Sequence, residues 1–219
     1  MGKVAIVTSE QKDLLDEFRK DSFLASNFYF TGGTALSLYY LQHRESVDLD
    51  FFSETPFKLE DVVIKIDSWK KSLKLSSVSY LTVVNTHIFN LIFPHKHKVK
   101  VDFNYYPYKR LEKQNVTHGI MVDSKLDIAV NKLLTVQQRT AVKDFVDLYF
   151  LLQDFTLWDL MEGVRVKFKI EMDPFVIGSD FLKVEGFDYL PKMITPLTLE
   201  ELKSFFRQKA KELSKRSIE

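Results

Sequence analysis

FYFTGGTALSLYYLQHRESVDLDFFS, residues 28–53, opens on an apolar aromatic run, Phe28-Tyr29-Phe30, of the kind that fills a short buried strand. Gly32 and Gly33 break that run and leave backbone amides with no side chain in the way. Thr34 is placed to cap a helix running through Tyr39 and Leu41, which turns the first amides and the positive dipole end toward the glycines. A helix start of this kind suits an anion such as a triphosphate. Beyond it, Val47-Asp48-Leu49-Asp50-Phe51 alternates apolar and acidic residues at the strand period of two. The two carboxylates therefore share one face, about 7 Å apart at a rise of about 3.3 Å per residue. Hard cations such as Mg2+ take carboxylate oxygens at about 2.1 Å, so one or two ions can lie between them.

A Gly-Gly turn, a helix and an Asp-x-Asp strand, in that order, resemble the signature of the nucleotidyltransferase superfamily. The closer resemblance is to the AbiEii-type toxin nucleotidyltransferases of bacterial type IV toxin–antitoxin systems. It is carried by Gly32-Gly33-Thr34-Ala35-Leu36, then Arg44, Ser46 and Asp48-Leu49-Asp50-Phe51-Phe52. A second match lies in LDIAVNKLLTVQQRTAVKDFVDLYFLL, where Lys132, Arg139, Lys143, Asp144 and Asp147 take the places of a helical Lys, an Arg, Lys-Asp and Asp-Leu.

The resemblance implies an α+β (α/β) fold, a mixed β-sheet with flanking helices followed by a helical C-terminal region. We place a catalytic domain over 1–123 and the helical region, packed on it, over 124–219. It also implies transfer of a nucleotide from an NTP to an acceptor hydroxyl, with Mg2+ or Mn2+ held by Asp48, Asp50 and Asp102. Asp102 would come from a strand next to the Asp-x-Asp strand and activate the acceptor. Lys132 and Asp144 complete the expected catalytic set. Nucleotide contacts are expected from Gly32, Gly33, Thr34, Arg44, Ser46, Arg139, Lys143 and Asp147. The acceptor implied is tRNA or a protein hydroxyl, and a toxin role implies an antitoxin encoded separately.

The residues themselves leave other readings open. Asp144 and Asp147, three apart on one helical face, can simply bind Arg139 or Lys143 and hold a helix pair together, or orient those cations while Lys132 reaches the triphosphate. A fold of this type that no longer catalyses would be a module binding nucleotide, RNA or a partner protein. Against that stands the cost of keeping a cluster of like charges idle. A metal phosphohydrolase would need a His-rich ligand set that the sequence lacks.

Length and composition are ordinary for a soluble globular protein. A chain of 219 residues is long enough for one large domain or two small ones. With 19 Phe, the core is built on aromatic packing, and with no Cys, disulfides and thiolate chemistry are excluded. No run reaches the ~20 apolar residues of a membrane span and no signal-peptide pattern opens the chain, so a cytoplasmic protein is expected. A net charge of +1 excludes bulk polyanion binding and leaves nucleic-acid contact to local patches. One such patch is 203–216, with six basic residues and Glu212 as its one acid.

Working outward, Thr8-Ser9-Glu10-Gln11 reads as a capping box opening a helix to about Leu24. Leu59–Leu73 reads as an amphipathic helix with Val62, Ile66 and Trp69 inward. Strands are predicted over 77–84, 87–93 and 98–105, with turns at Asn85-Thr86 and Pro94–His97. In the last of them Lys100, Asp102 and Asn104 share one face. His95 and His97 make that turn basic, with metal binding as the lesser alternative. Aromatic and basic residues over 105–115 are expected in a loop, where they anchor it or stack on bases. Ile120–Val122 is predicted as an edge strand, then two helices joined near Arg139-Thr140. Thr156 and Thr198 open two more helices, and 171–197 is expected to be irregular.

Overall fold

A computed structural model describes residues 6–113 and 115–216, the side chains of 215–216 excepted, so the last cations of the basic 203–216 run lie outside the described side chains. The chain divides into two compact units. One comprises the described residues up to Tyr40, then Ser46–Lys109 and Lys113–Ser124; the other takes Leu41–Glu45, Arg110–Glu112 and the chain from Lys125 on. Two short segments that the sequence places with the sheet thus belong with the helices.

In the first unit, α1 (Ser9–Lys20) begins at a complete capping box between Thr8 and Gln11. It stops short of the expected Leu24, because Asp21 leaves helical geometry and accepts a hydrogen bond from the Leu24 amide as the N-cap of α2 (Ser22–Asn27). The strands are β1 (Tyr29–Thr31), β2 (Asp48–Ser53), β3 (Ser77–Val83), β4 (Thr86–Ile92), β5 (Lys98–Tyr105), β6 (Asn115–Thr117) and β7 (Ile120–Val122). Among the described residues they form one mixed sheet in the order β3-β4-β5-β2-β1-β7-β6. β5 runs parallel to β2, and β7 parallel to β1; the other neighbours are antiparallel. β7 is therefore not the edge. A two-residue turn, His118-Gly119, with both residues at positive φ, folds β6 against it.

Period-two alternation puts Leu49, Phe51, Val101 and Phe103 on the covered face. Phe18 of α1 stacks on Phe51 with ring centroids 4.1 Å apart, and Trp69 of α4 (Leu59–Ser72) lies 6.5 Å from Phe103. Each such fully buried ring contributes about 1.5–3 kcal/mol over leaving it in water. With that face committed to helices, Asp48, Asp50, Lys100 and Asp102 fall on the other.

The second unit contains α5 (Lys125–Gln138), α6 (Val142–Leu151), α7 (Leu157–Phe168), α8 (Pro174–Phe181) and α9 (Leu199–Arg216). α8 lies where an irregular stretch is expected; Asp173 accepts from the amides of Phe175 and Val176, and Pro174 occupies the first helical turn. Phe206 of α9 is the hub of the core, edge-on to Phe145 at 5.1 Å and Phe181 at 5.0 Å. Asp127 explains why Arg110–Glu112 belongs here. Its buried carboxylate accepts from the amides of Leu111 and Glu112 and from Lys167 Nζ at 2.6 Å. No helix among the described residues is long and apolar enough to cross a membrane.

Candidate active site

The short β1 ends at Thr31, whose hydroxyl is donated to Asp123 Oδ2 at 2.8 Å. Thr31 is the N-cap of α3 (Gly32–Leu36) but gives it no side-chain cap, so the first amides of the glycine turn are not closed off by a hydroxyl. A π-helical turn, Ser37–Leu41, continues α3. Thr34 is not the cap that the sequence suggests. It lies inside the first turn, fully buried, and its hydroxyl bonds Ser46 Oγ at 2.8 Å and the Asp48 carbonyl. It is a strut that fixes the acidic strand to the helix start. Ser46 is held a second time, through its carbonyl, by Gln11 Nε2 at 3.0 Å.

Register then brings the acids together. Thr31 pairs with Asp50 across β1 and β2, and Asp50 pairs with Asp102 across β2 and β5. The glycine turn, the Asp-x-Asp strand and the third acid thus lie side by side. Gly32 has φ +73°, and a Cβ placed on it would fall 2.2 Å from Asp50 Oδ2. The turn is pressed onto that carboxylate as only glycine allows.

Lys100, two residues before Asp102 on the same face, was not singled out by its sequence alone. Its Nζ lies 2.8 Å from Asp102 Oδ2 and 3.7 Å from Asp48 Oδ2. Burial by itself would push this ammonium down, but its bond to Asp102 and the charges of Asp102, Asp48 and Asp50 hold it above the ordinary lysine value. As the side chains stand, no group of three or more His, Asp or Glu among the described residues is gathered closely enough to hold a metal ion. The donor set still fits a hard cation. Asp48 and Asp102 already converge on one positive nitrogen, and Asp50 is the register neighbour of Asp102.

A second group of functional candidates is built inside the helical unit. Lys132 is 7% exposed, and its Nζ contacts Asp144 Oδ1 at 2.7 Å and Asp147 Oδ2 at 2.6 Å. Arg139, more than half exposed, donates Nε to the other Asp144 oxygen at 2.8 Å. Arg44 is 3% exposed and grips Asp147 with two donors, Nε at 2.6 Å and Nη2 at 2.8 Å. Its segment is fixed alongside 192–195 by a bridge from Arg44 to Met193 and by the Glu45 amide on the Lys192 carbonyl. His43, fully buried, donates Nε2–H to Asp147 Oδ1 at 2.7 Å; a carboxylate acceptor fixes that tautomer. Lys143 stands exposed on α6.

Asp144 and Asp147 therefore do what the sequence allows them, holding cations in place, and Lys132 is gripped between them. Burial would raise both carboxyls, but the charge of Lys132, with Arg44 and His43 at Asp147 and Arg139 at Asp144, holds them below the usual range. Burial keeps the His43 imidazole below its ordinary value despite Asp147. The parts sequence reasoning missed are His43 and Arg44 as partners of Asp147. The adjacent basic pair was visible, but its acceptor lies 103 residues downstream of Arg44.

Residues 13–217 match the family described as nucleotidyl transferase AbiEii toxin, type IV TA system. The chain belongs to this family. As a member it is a nucleotidyltransferase, an enzyme of the toxin–antitoxin type. An uncharacterized protein of Aquifex aeolicus, aq_aa25, is 33% identical over 196 residues, which span 86% of this chain and 89% of that one. The fold is shared with JHP933 from Helicobacter pylori, at a TM-score of 0.59 and 21% identity over 96% of each chain. It is shared also with MenT4, a nucleotidyltransferase toxin from Mycobacterium tuberculosis, at a TM-score of 0.54 and 14% identity over 92% of this chain and 82% of that one.

Proposed function

We propose that this nucleotidyltransferase moves an NMP from an NTP to the hydroxyl of a tRNA, releasing pyrophosphate, with Mg2+ or Mn2+ as cofactor. The observation that carries this reading is the register Thr31–Asp50–Asp102, which sets the glycine turn, the Asp-x-Asp strand and a third carboxylate in adjacent places. The uncapped amides after Thr31 suit the phosphates of the nucleotide. Asp48, Asp50 and Asp102 would hold the metal, which when bound polarises the phosphoryl oxygens and stabilises the charge that develops on them. Asp102 accepts the proton of the attacking hydroxyl. Thr34 and Ser46 keep β2 in position through the reaction by fixing the strand that carries both acids. Lys132 and Arg139, oriented by Asp144 and Asp147, serve as the phosphate-binding cations of the helical unit, with Lys143 and the Arg44–Asp147 pair in support. Both substrates place the activity in the cytoplasm, and the family's toxin–antitoxin character calls for a separately encoded antitoxin.

Incubation with each labelled NTP, Mg2+ and total tRNA tests this, with a protein acceptor in a parallel arm. Label is expected in the tRNA. Asp102→Asn keeps the side-chain volume and should lower transfer by about 10²–10⁴-fold, the usual worth of general-base help, while NTP affinity changes little. Transfer to protein alone would move the acceptor class. No transfer to either acceptor with any NTP and either metal would leave a binding module in place of the active enzyme.

A further inference from the structure

Three carboxylates on one sheet face repel each other, and without a counter-charge they would splay apart. The face supplies its own. Lys98, Lys100, Asp102 and Asn104 alternate along one side of β5, and of these Lys100 turns to the acids of β2. Its Nζ reaches Asp102 at 2.8 Å and Asp48 at 3.7 Å, a place between two oxygens that a divalent ion would also seek. The ammonium is part-buried, about a third exposed, and Asp102 is about a tenth exposed. Pairing this close therefore restrains both side chains more than an open surface pair does.

Resting on the metal-dependent reading above, we propose that Lys100 is a resident counter-ion of the catalytic acids: it holds Asp48 and Asp102 together in the metal-free enzyme and is exchanged for the divalent cation on binding. Two consequences separate this role from that of a strut. Removing the ammonium frees two ligands from a competitor, so metal binds more tightly. The same removal takes the Lys100 charge from between Asp48 and Asp102, so the metal-free protein is weakened, and the weakness disappears when metal takes the vacated place.

The test uses the full chain, native and Lys100→Met, a substitution that keeps most of the aliphatic stem. Mg2+ alone is titrated by calorimetry, and melting is followed without metal and with saturating Mg2+. The expected result is a Kd for Mg2+ lower by roughly tenfold, about 1.4 kcal/mol. The metal-free Tm should fall by a few degrees and the Mg2+-saturated Tm should match native. Equal Kd values with the same Tm deficit in both conditions would overturn the proposal and leave the transferase reading standing, Lys100 then being a strut. Failure of both proteins to bind Mg2+ would sink both, with Asp48→Asn marking the baseline of a damaged site. Lys100→Gln provides the same comparison should the Met variant not fold.

Discussion

Replacing Gly32 by Ala probes the contact between the glycine turn and the acidic strand. At φ +73° an L-residue carries left-handed strain of about 1–2 kcal/mol. The new methyl would also stand 2.2 Å from Asp50 Oδ2 and 2.9 Å from its Cγ, so the carboxylate must swing aside. Strain and displacement together should cost about 2–4 kcal/mol, and a chain of this size loses roughly 2–4 °C of Tm per kcal/mol. Gly119 supplies the control. It has φ +79°, yet a Cβ there meets nothing closer than Arg19 Cβ at 4.0 Å. Gly119→Ala should therefore cost only the strain. The two variants differ most in metal linkage. Native protein and Gly119→Ala should gain about 2.7 kcal/mol at Mg2+ of 100 times Kd, and Gly32→Ala should lose most of that gain. Melts of all three proteins with and without Mg2+ read both quantities. Equal losses of stability, or an intact Mg2+ response in Gly32→Ala, would refute the idea that the turn positions Asp50.

Lys132→Met should destabilise by about 3–5 kcal/mol in urea melts, because Asp144 and Asp147 are left buried with one cation fewer; Arg139→Ala, at an exposed edge of the network, should cost under half of that. Acid should weaken the fold in two steps, since the unfolded chain binds more protons than the folded one wherever a folded pKa is depressed. The first step begins below 6.5, where unfolded His43 protonates and the folded imidazole does not, and Tm measured at successive pH values should fall less over this window in His43→Gln. The second begins below 3.8 and ends as Asp144 and Asp147 protonate in the native state. Phe206→Ala removes the ring shared by Phe145 and Phe181 and should cost about 3–5 kcal/mol without changing Mg2+ affinity.

Local signals carried much of this fold. Capping boxes at Thr8, Thr156 and Thr198 opened helices where threonine followed three residues later by Gln, Asp or Glu said they should. Period-two alternation placed Asp48 with Asp50, and Asp102 with Lys100 and Asn104; that the two sets share a face was implied only by the family resemblance, and it depends on the parallel pairing of β2 with β5. What stayed hidden needed partners distant in sequence. Thr34 is a sound helix cap by propensity, but a bond to Ser46 and Asp48 claimed its hydroxyl. Lys100 was visible as a face-mate of Asp102, while its reach to Asp48 depends on β5 lying parallel to β2. α8 was legible and misread: Asp173-Pro174 is a cap followed by a first-turn proline, masked by the turn residues around it.

The segment Leu41–Glu45 has a consequence for synthesis. It leaves the sheet unit at the last residue of the π-helical turn, gives His43 and Arg44 to Asp147, and returns at Ser46, two residues before the acidic strand. Arg44 emerges from the ribosome 103 residues ahead of its acceptor. At about 5–20 residues per second that is a wait of roughly 5–20 s. Throughout it, Ser46 can already be held by Thr34 and Gln11, while His43 and Arg44 wait for their carboxylate. Completion of this buried clamp is thus timed by translation of α6, and a nascent chain stopped short of Asp147 carries Asp48, Asp50 and Asp102 without it.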